Sequence, residues 1–129
     1  MKINHFGRAR ILSAEELDTL IDAIPYSPHK VCCVLLRYTG ARVSEALQSK
    51  WEYYTETHFI YPAPTTKTKQ TRKIPINNKL RLELDTWKAY VQPENESDYI
   101  FKGRFGEHLT RQSMDKKLKR YSPFKGVST

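Results

Sequence analysis

The feature that most constrains the fold is a segment that is apolar on nearly every side, from Val31 to Tyr38. Ser27 and Pro28, just before it, are an N-cap residue and a first-turn proline, which predict the start of a helix. A helix without a polar face must be enclosed by other elements. We therefore predict a central buried helix, in a chain of 129 residues that suits a single domain covering residues 1–129.

Gly40 follows this helix and is expected to end it in the left-handed conformation, which redirects the chain into a second helix. Arg42 then lies at a fixed corner on the first turn of that helix, and the carboxylate of Glu45 follows one turn further on. Considered alone, Arg42 and Glu45 also fit an ordinary surface ion pair at i,i+3 spacing, which contributes little stability.

Three further helices are predicted from capping residues and apolar spacing. One starts at Ser13, with Glu16 closing a capping box, the next starts at Asn77 or Asn78, and the last is capped by Thr110. Their predicted core faces are Leu17, Leu20, Ile21 and Ile24; Leu80, Leu84, Trp87 and Val91; and Met114, Leu118 and Tyr121. From Pro123 onward we expect the chain to fray.

Between Thr57 and Ile76 the pattern changes to aromatic, β-branched and threonine residues, which predicts extended chain. Pro62 and Pro64 are two apart, so both can lie on the unpaired side of an edge strand. Residues 67–72 would form a mobile turn longer than two residues. The predicted fold class is therefore α+β and mainly α, with a small β-hairpin or three-stranded sheet that carries a lysine turn.

Positive charge is concentrated in the second half of the chain. The net charge is +8; residues 1–64 contain 7 Lys/Arg and 7 Asp/Glu, whereas residues 65–129 contain 15 and 7. This asymmetry predicts a basic face that binds a polyanion such as nucleic acid. The alternative is a solvated surface with an accidental bias.

Other features bear on the cellular compartment. Cys32 and Cys33 are adjacent within the apolar helix, where buried thiols are expected rather than a disulfide. No apolar stretch approaches the length that spans a membrane, and the first residues lack the apolar segment of a secretion signal. We therefore expect a cytoplasmic protein without a membrane partner.

Two motifs carry a family resemblance. Residues 39–47 read Thr-Gly-Ala-Arg-Val-Ser-Glu-Ala-Leu, and residues 67–76 read Lys-Thr-Lys-Gln-Thr-Arg-Lys-Ile-Pro-Ile. The first resembles the Thr-Gly-x-Arg-x-Ser-Glu-x-Leu motif of the tyrosine recombinases, the phage integrase family, and the second resembles that family's lysine turn. Two motifs in the right order are more specific than either alone. The chain thus looks like the N-terminal portion of a recombinase catalytic domain.

The resemblance implies cleavage and rejoining of double-stranded DNA through a phosphotyrosyl intermediate in a complete enzyme. That enzyme would assemble as a homo-oligomer on DNA and use no metal or other cofactor. Arg42 would hold the non-bridging phosphate oxygens. Lys67, with Lys69 as its rival, would protonate the departing 5′ oxygen. Glu45 would fix the arginine or a partner side chain.

By the same resemblance, the helix after Thr110 contacts DNA. Arg111 is the first candidate for a base edge, with Gln112 beside it in the first turn. The alternative is a solvated cationic helix. The other predicted DNA contacts, mostly to phosphates, are Lys69, Arg72, Lys116, Lys117, Lys119 and Arg120.

The family also has a His-x-x-Arg motif, a later His or Trp, and a tyrosine nucleophile. His108 and Arg111 have the His-x-x-Arg spacing, but Tyr121 follows Arg111 by only ten residues without an intervening His or Trp. We therefore predict that His108 lies in a loop and Tyr121 in the core. The expectation is a truncated recombinase that is inactive alone and binds DNA weakly; the alternatives are a non-catalytic regulator of recombination sites and a compact nuclease that uses these three residues.

Overall fold

The computed structural model describes residues 2–5 and 8–129, which form an α+β fold that is mainly helical. The predicted fold class is therefore confirmed. The helices are α1 (Ala14–Ala23), α2 (Pro28–Thr39), α3 (Val43–Leu47), α4 (Asn78–Val91) and α5 (Arg111–Tyr121). The strands are β1 (Lys2–His5), β2 (Arg8–Ile11), β3 (His58–Tyr61), β4 (Arg72–Pro75) and β5 (Val127–Ser128), and short 3₁₀ turns cover Trp51–Tyr53 and Ala63–Thr65.

The long helices begin at the predicted capping residues. Ser13 accepts a hydrogen bond from the backbone N–H of Glu16 at 3.2 Å, and the Glu16 carboxylate accepts one from the N–H of Ser13 at 3.0 Å. Ser27, Asn77 and Thr110 each accept from the backbone N–H three residues later. These side chains satisfy donors that would otherwise lack a partner in the first turn, so capping chemistry fixes where each helix starts.

Helix α2 occupies the centre of the core, as predicted. It packs against α1, α3 and α4, and Val31, Cys32, Cys33 and Leu35 are fully buried. The two cysteines are free thiols, and that of Cys33 donates to the sulfur of Met114 on α5 at 3.7 Å. Burial raises the pKa of Cys33 to about 12, so its thiol stays protonated.

The β3–β4 hairpin is confirmed, with Tyr61 opposite Arg72 at the end beside the turn. The turn is also longer than two residues, as predicted. The placement of Pro62 and Pro64 on an edge strand is wrong, because β3 ends at Tyr61 and the chain enters the 3₁₀ turn Ala63–Thr65. The fixed φ of proline suits the start of such a turn as well as it suits a strand edge.

A second sheet joins the two ends of the chain. Its order is β2-β1-β5, and β1 is antiparallel to both neighbours. The predicted fraying from Pro123 is therefore wrong, since β5 pairs with β1 and Val127 is buried. The lysine turn belongs to the separate two-stranded sheet.

The predicted core face of α4 is correct for Leu80, Leu84 and Trp87, which are buried. It is wrong for Val91, which is 38% exposed. Val91 is the last residue of α4, and Gln92 ends the helix in the left-handed conformation, beyond the edge of the core. Within the described ranges no helix is both long enough and apolar enough to cross a membrane.

Candidate functional site

Arg42 stands at a sharp corner between α2 and α3. Gly40 ends α2 at φ 65°, and Arg42 is the N-cap of α3, one residue before the predicted first turn. The buried carboxylate of Glu45 accepts the backbone N–H of Arg42 at 2.9 Å. Glu45 therefore holds the main chain of Arg42 instead of pairing with its guanidinium, and the Arg42 side chain is exposed.

Three arginines, Arg37, Arg42 and Arg111, line a cleft of about 430 Å³ above an apolar floor from α1 and α2. The Nε of Arg37 is bound by the carboxylate of Asp18 at 3.2 Å, which offsets its charge. Among the described residues that line the cleft, none is Asp or Glu. The guanidinium groups of Arg42 and Arg111 over this apolar floor favour an anion, because no carboxylate side chain lies among the described residues that line the cleft.

The hairpin is attached to this corner through Arg72. Its Nη1 lies 3.8 Å from the Oε1 of Glu45, and its guanidinium stacks over the ring of Tyr61 at 5.4 Å. The Tyr61 hydroxyl lies 3.1 Å from that of Thr39 at the end of α2. Burial raises the pKa of Tyr61, so the hydroxyl stays neutral. The structure thus places Arg72, one of the predicted DNA contacts, half-buried against Glu45.

The lysine turn is organised by Thr66, which is buried. Its hydroxyl donates to the carbonyl of Gln70 at 2.9 Å and accepts the N–H of Gln70 at 3.1 Å. Lys69 adopts a left-handed conformation, φ 58°, and its ammonium donates to the carbonyl of Pro64 at 3.4 Å. Lys67 is exposed. Lys69 therefore folds back on the turn, and the catalytic role of Lys67 stays a prediction.

Helix α5 presents a basic groove of about 370 Å³. Gln112, Lys116, Lys117 and Arg120 line it together with Thr110 and Ser113, and Lys119 is exposed on the same helix. The Nε2 of His29, near the start of α2, lies 2.7 Å from the Ser113 hydroxyl and ties α5 to the core. Burial, with a smaller contribution from Lys117, lowers the pKa of His29, so the imidazole is neutral at pH 7.

Arg111 lies apart from this groove. It lines the same cleft as Arg42, and its Nε donates to the hydroxyl of Thr129 at 2.9 Å. The backbone N–H and the hydroxyl of Thr129 donate in turn to Asp115, at 2.9 and 2.8 Å. Its predicted contact with a base edge stays a prediction, and the structure brings it to the arginine cleft.

The sequence profile of the phage integrase family matches residues 10–128. The chain belongs to this family. No curated protein gave a significant sequence match. The family assignment agrees with the resemblance carried by the two motifs.

Several solved recombinase structures share the fold of this phage integrase family member. XerA recombinase matches with a TM-score of 0.72 at 19% identity, over 92% of this chain and 45% of that chain. XerH site-specific recombinase bound to difH substrate gives 0.68 at 19%, over 92% and 41%. A lambda integrase(75-356) dimer bound to a COC′ core site gives 0.68 at 19%, over 97% and 47%. The chain therefore spans less than half the length of these recombinases.

His108 and Tyr121, the other residues of the nuclease hypothesis, lie in different surroundings. The His108 ring packs edge-on against Tyr99 at 5.2 Å in the loop before α5, whereas Tyr121 is half-buried against the core. Both placements agree with the sequence predictions. Because these two residues and Arg111 have separate partners, the structure argues against a compact nuclease site. Among the described residues, no three His, Cys, Asp or Glu side chains form a group that could hold a metal ion.

Two parts of this site were not predicted from the sequence. Arg37 lies in the last turn of α2, five residues before Arg42, and its position at the end of the same helix was a usable signal. The contact between Glu45 and Arg72 had no such signal, because it joins different elements 27 residues apart.

Proposed function

We propose that this chain, as a single domain over residues 1–129, is the N-terminal portion of the catalytic domain of a site-specific DNA recombinase. The complete enzyme cleaves and rejoins DNA strands through a phosphotyrosyl intermediate. The observation that carries the proposal is the exposed guanidinium of Arg42, fixed at its corner by Gly40 and Glu45, at a cleft lined by arginines. The similar XerH and lambda integrase structures contain bound DNA substrates, which supports DNA as the ligand.

In this function Arg42 acts as the phosphate clamp. Attack on a phosphodiester builds negative charge on the two non-bridging oxygens, which a planar guanidinium can hold with two parallel hydrogen bonds. Since Glu45 binds the main chain of Arg42 and leaves its guanidinium on the surface, the fork stays available for the phosphate. Arg111 adds a second positive charge to the same cleft.

Lys67 supplies the proton that the departing 5′ oxygen requires. Lys67 is exposed on the hairpin turn, and in this proposal its ammonium is directed at the phosphate held by Arg42. No cofactor is needed for this chemistry, and the tyrosine nucleophile belongs to the complete enzyme, which assembles as a homo-oligomer on DNA.

Helix α5 holds the duplex. Gln112 lies in its first turn, where a side chain can enter the major groove. The cations that line the adjacent groove, Lys116, Lys117 and Arg120, contact phosphates, and Lys119 adds charge on the same helix. These contacts release counterions, so affinity depends steeply on salt.

Fluorescence anisotropy with a labelled duplex at several salt concentrations tests this function. We expect weak binding. The logarithm of the association constant should fall linearly with the logarithm of the salt concentration, and the slope should be shallower for Lys116→Ala on α5. Lys79→Ala, an exposed lysine on α4, is the matched control and should leave the slope unchanged. Equal slopes for all three proteins, or no binding at low salt, would contradict the proposal.

A suicide duplex tests the assignment of the nucleophile. Incubation with the chain alone should leave all protein free of covalently bound DNA, because Tyr121 packs against the core. A covalent adduct would overturn that assignment. Tight binding restricted to one duplex sequence would instead favour the non-catalytic regulator of recombination sites.

A further inference from the structure

We propose that Arg72 is a positioning residue that couples the corner carrying Arg42 to the turn carrying Lys67, through the carboxylate of Glu45. This role deepens the proposed function and rests on it for the tasks of Arg42 and Lys67. It differs from the contact with DNA that the family resemblance suggested for Arg72.

A single carboxylate oxygen joins the two motifs. The Oε1 of Glu45 accepts the backbone N–H of Arg42 at 2.9 Å and lies 3.8 Å from the Nη1 of Arg72. Glu45 is only 3% exposed. A buried carboxylate is costly without a positive partner, and Arg72 supplies the guanidinium that faces it. The guanidinium of Arg72 therefore offsets the charge of the buried carboxylate that holds the main chain of Arg42.

Arg72 has a second contact, within the hairpin. Its guanidinium lies over the ring of Tyr61, its partner across the hairpin. Its Nη2 is buried and has no hydrogen-bond partner among the described residues. A guanidinium whose donor faces the protein interior is poorly oriented for a DNA phosphate. It is well oriented to lock the hairpin against α3.

This lock defines one end of the lysine turn. Arg72 is the first residue of β4, and Lys67 lies five residues before it. If Arg72 no longer faces Glu45, the end of the turn is released, and the approach of Lys67 to a phosphate held by Arg42 is no longer fixed. Lysine at this position would keep the charge but lose the planar fork and its stacking on Tyr61.

Amide hydrogen exchange measured by NMR on the full chain tests the coupling. In Arg72→Met we expect exchange about tenfold faster at Lys69 and Gln70, whose N–H groups donate to Thr66, and a shifted Arg42 amide resonance. Leu84 in α4 reports global unfolding and should keep its exchange rate. The matched control is Lys73→Met, the next residue on β4, which is exposed and should change neither signal.

Two further variants make the result specific. Arg72→Lys should restore part of the protection from amide exchange in the turn. It also replaces Arg72→Met as the test variant if Arg72→Met does not fold. In a Glu45→Gln background, Arg72→Met should add no further change, because the coupling is already lost. A full additional effect of Arg72→Met in that background would overturn the proposed path through Glu45.

Duplex binding distinguishes the remaining explanations. A fall of about 0.9 in the salt slope for Arg72→Met, with unchanged exchange in the turn, would make Arg72 a phosphate contact and overturn the proposal. Equal acceleration of exchange at Lys69 and Leu84 would make it a residue of general stability and also overturn it. The exchange measurement needs no DNA, so failure of the proposed function would be recognised separately.

Discussion

Replacing Gly40 tests the corner that positions Arg42. Gly40 has φ 65°, where a side chain costs about 1–2 kcal/mol. A Cβ at this position would meet no heavy atom within 4 Å, so no clash adds to that cost. Removing glycine also restricts the unfolded chain, which returns about 0.4–1 kcal/mol. Gly40→Ala should therefore lower the free energy of unfolding by about 1 kcal/mol, and Gly40→Asn by less, because asparagine tolerates this conformation.

Urea unfolding followed by tryptophan fluorescence measures this change, since Trp51 and Trp87 are both buried. Gly106→Ala is the matched control: its φ is 85°, and a Cβ there also meets no atom within 4 Å. Both variants should lose a similar amount of stability, but only Gly40→Ala should weaken binding of duplex DNA. A loss of 3 kcal/mol or more, well above the cost of the left-handed conformation, would mean that other atoms pack against a side chain at position 40. No loss would mean that the corner is not left-handed in solution.

Three other changes have defined outcomes. The pKa of His29 is lowered from 6.5 in the folded chain, so the unfolded chain binds the proton more readily and stability is lost as the pH falls below about 6.5. Between about pH 7.5 and 5.5 the melting temperature of His29→Gln should therefore fall less than that of the unchanged protein, and equal falls would contradict this. Lys69→Gly should raise the free energy of unfolding in urea by about 0.5 kcal/mol, because it relieves the left-handed conformation at φ 58°; a loss of stability would contradict the turn geometry. Lys117→Ala should lower the salt slope of duplex binding by about 0.9, and an unchanged slope would remove Lys117 from the phosphate contacts.

The helices and the arginine corner were predictable because their causes are local. Ser13 and Thr110 cap helices through hydrogen bonds that span three residues, and Gly40 supplies its own left-handed turn. Such signals are complete within a few residues of sequence. The position of Arg42 followed from them to within one residue.

The parts that could not be predicted depend on residues distant in sequence. Strand β5 has only two residues, too few for an alternating pattern, and exists because it pairs with β1 at the other end of the chain. The hydrogen bond that folds Lys69 back onto the carbonyl of Pro64 also had no signal in the sequence, because it accompanies a left-handed backbone conformation that lysine rarely adopts. From the sequence Arg72 was only a predicted DNA contact, because its contact with Glu45 joins residues that are 27 positions apart.

The basic face of α5 depends on where its one acidic residue lies. Asp115 is the single carboxylate in Arg111–Tyr121, and it accepts two hydrogen bonds from Thr129 beside β5. It is absent from the residues that line the groove, which include Lys116, Lys117 and Arg120. Separating the carboxylate from the cations in this way strengthens the positive potential of the groove without changing the net charge of the helix. Part of the positive charge of the second half of the chain is thus concentrated on one surface of α5, because Asp115 is hydrogen-bonded to Thr129 after β5.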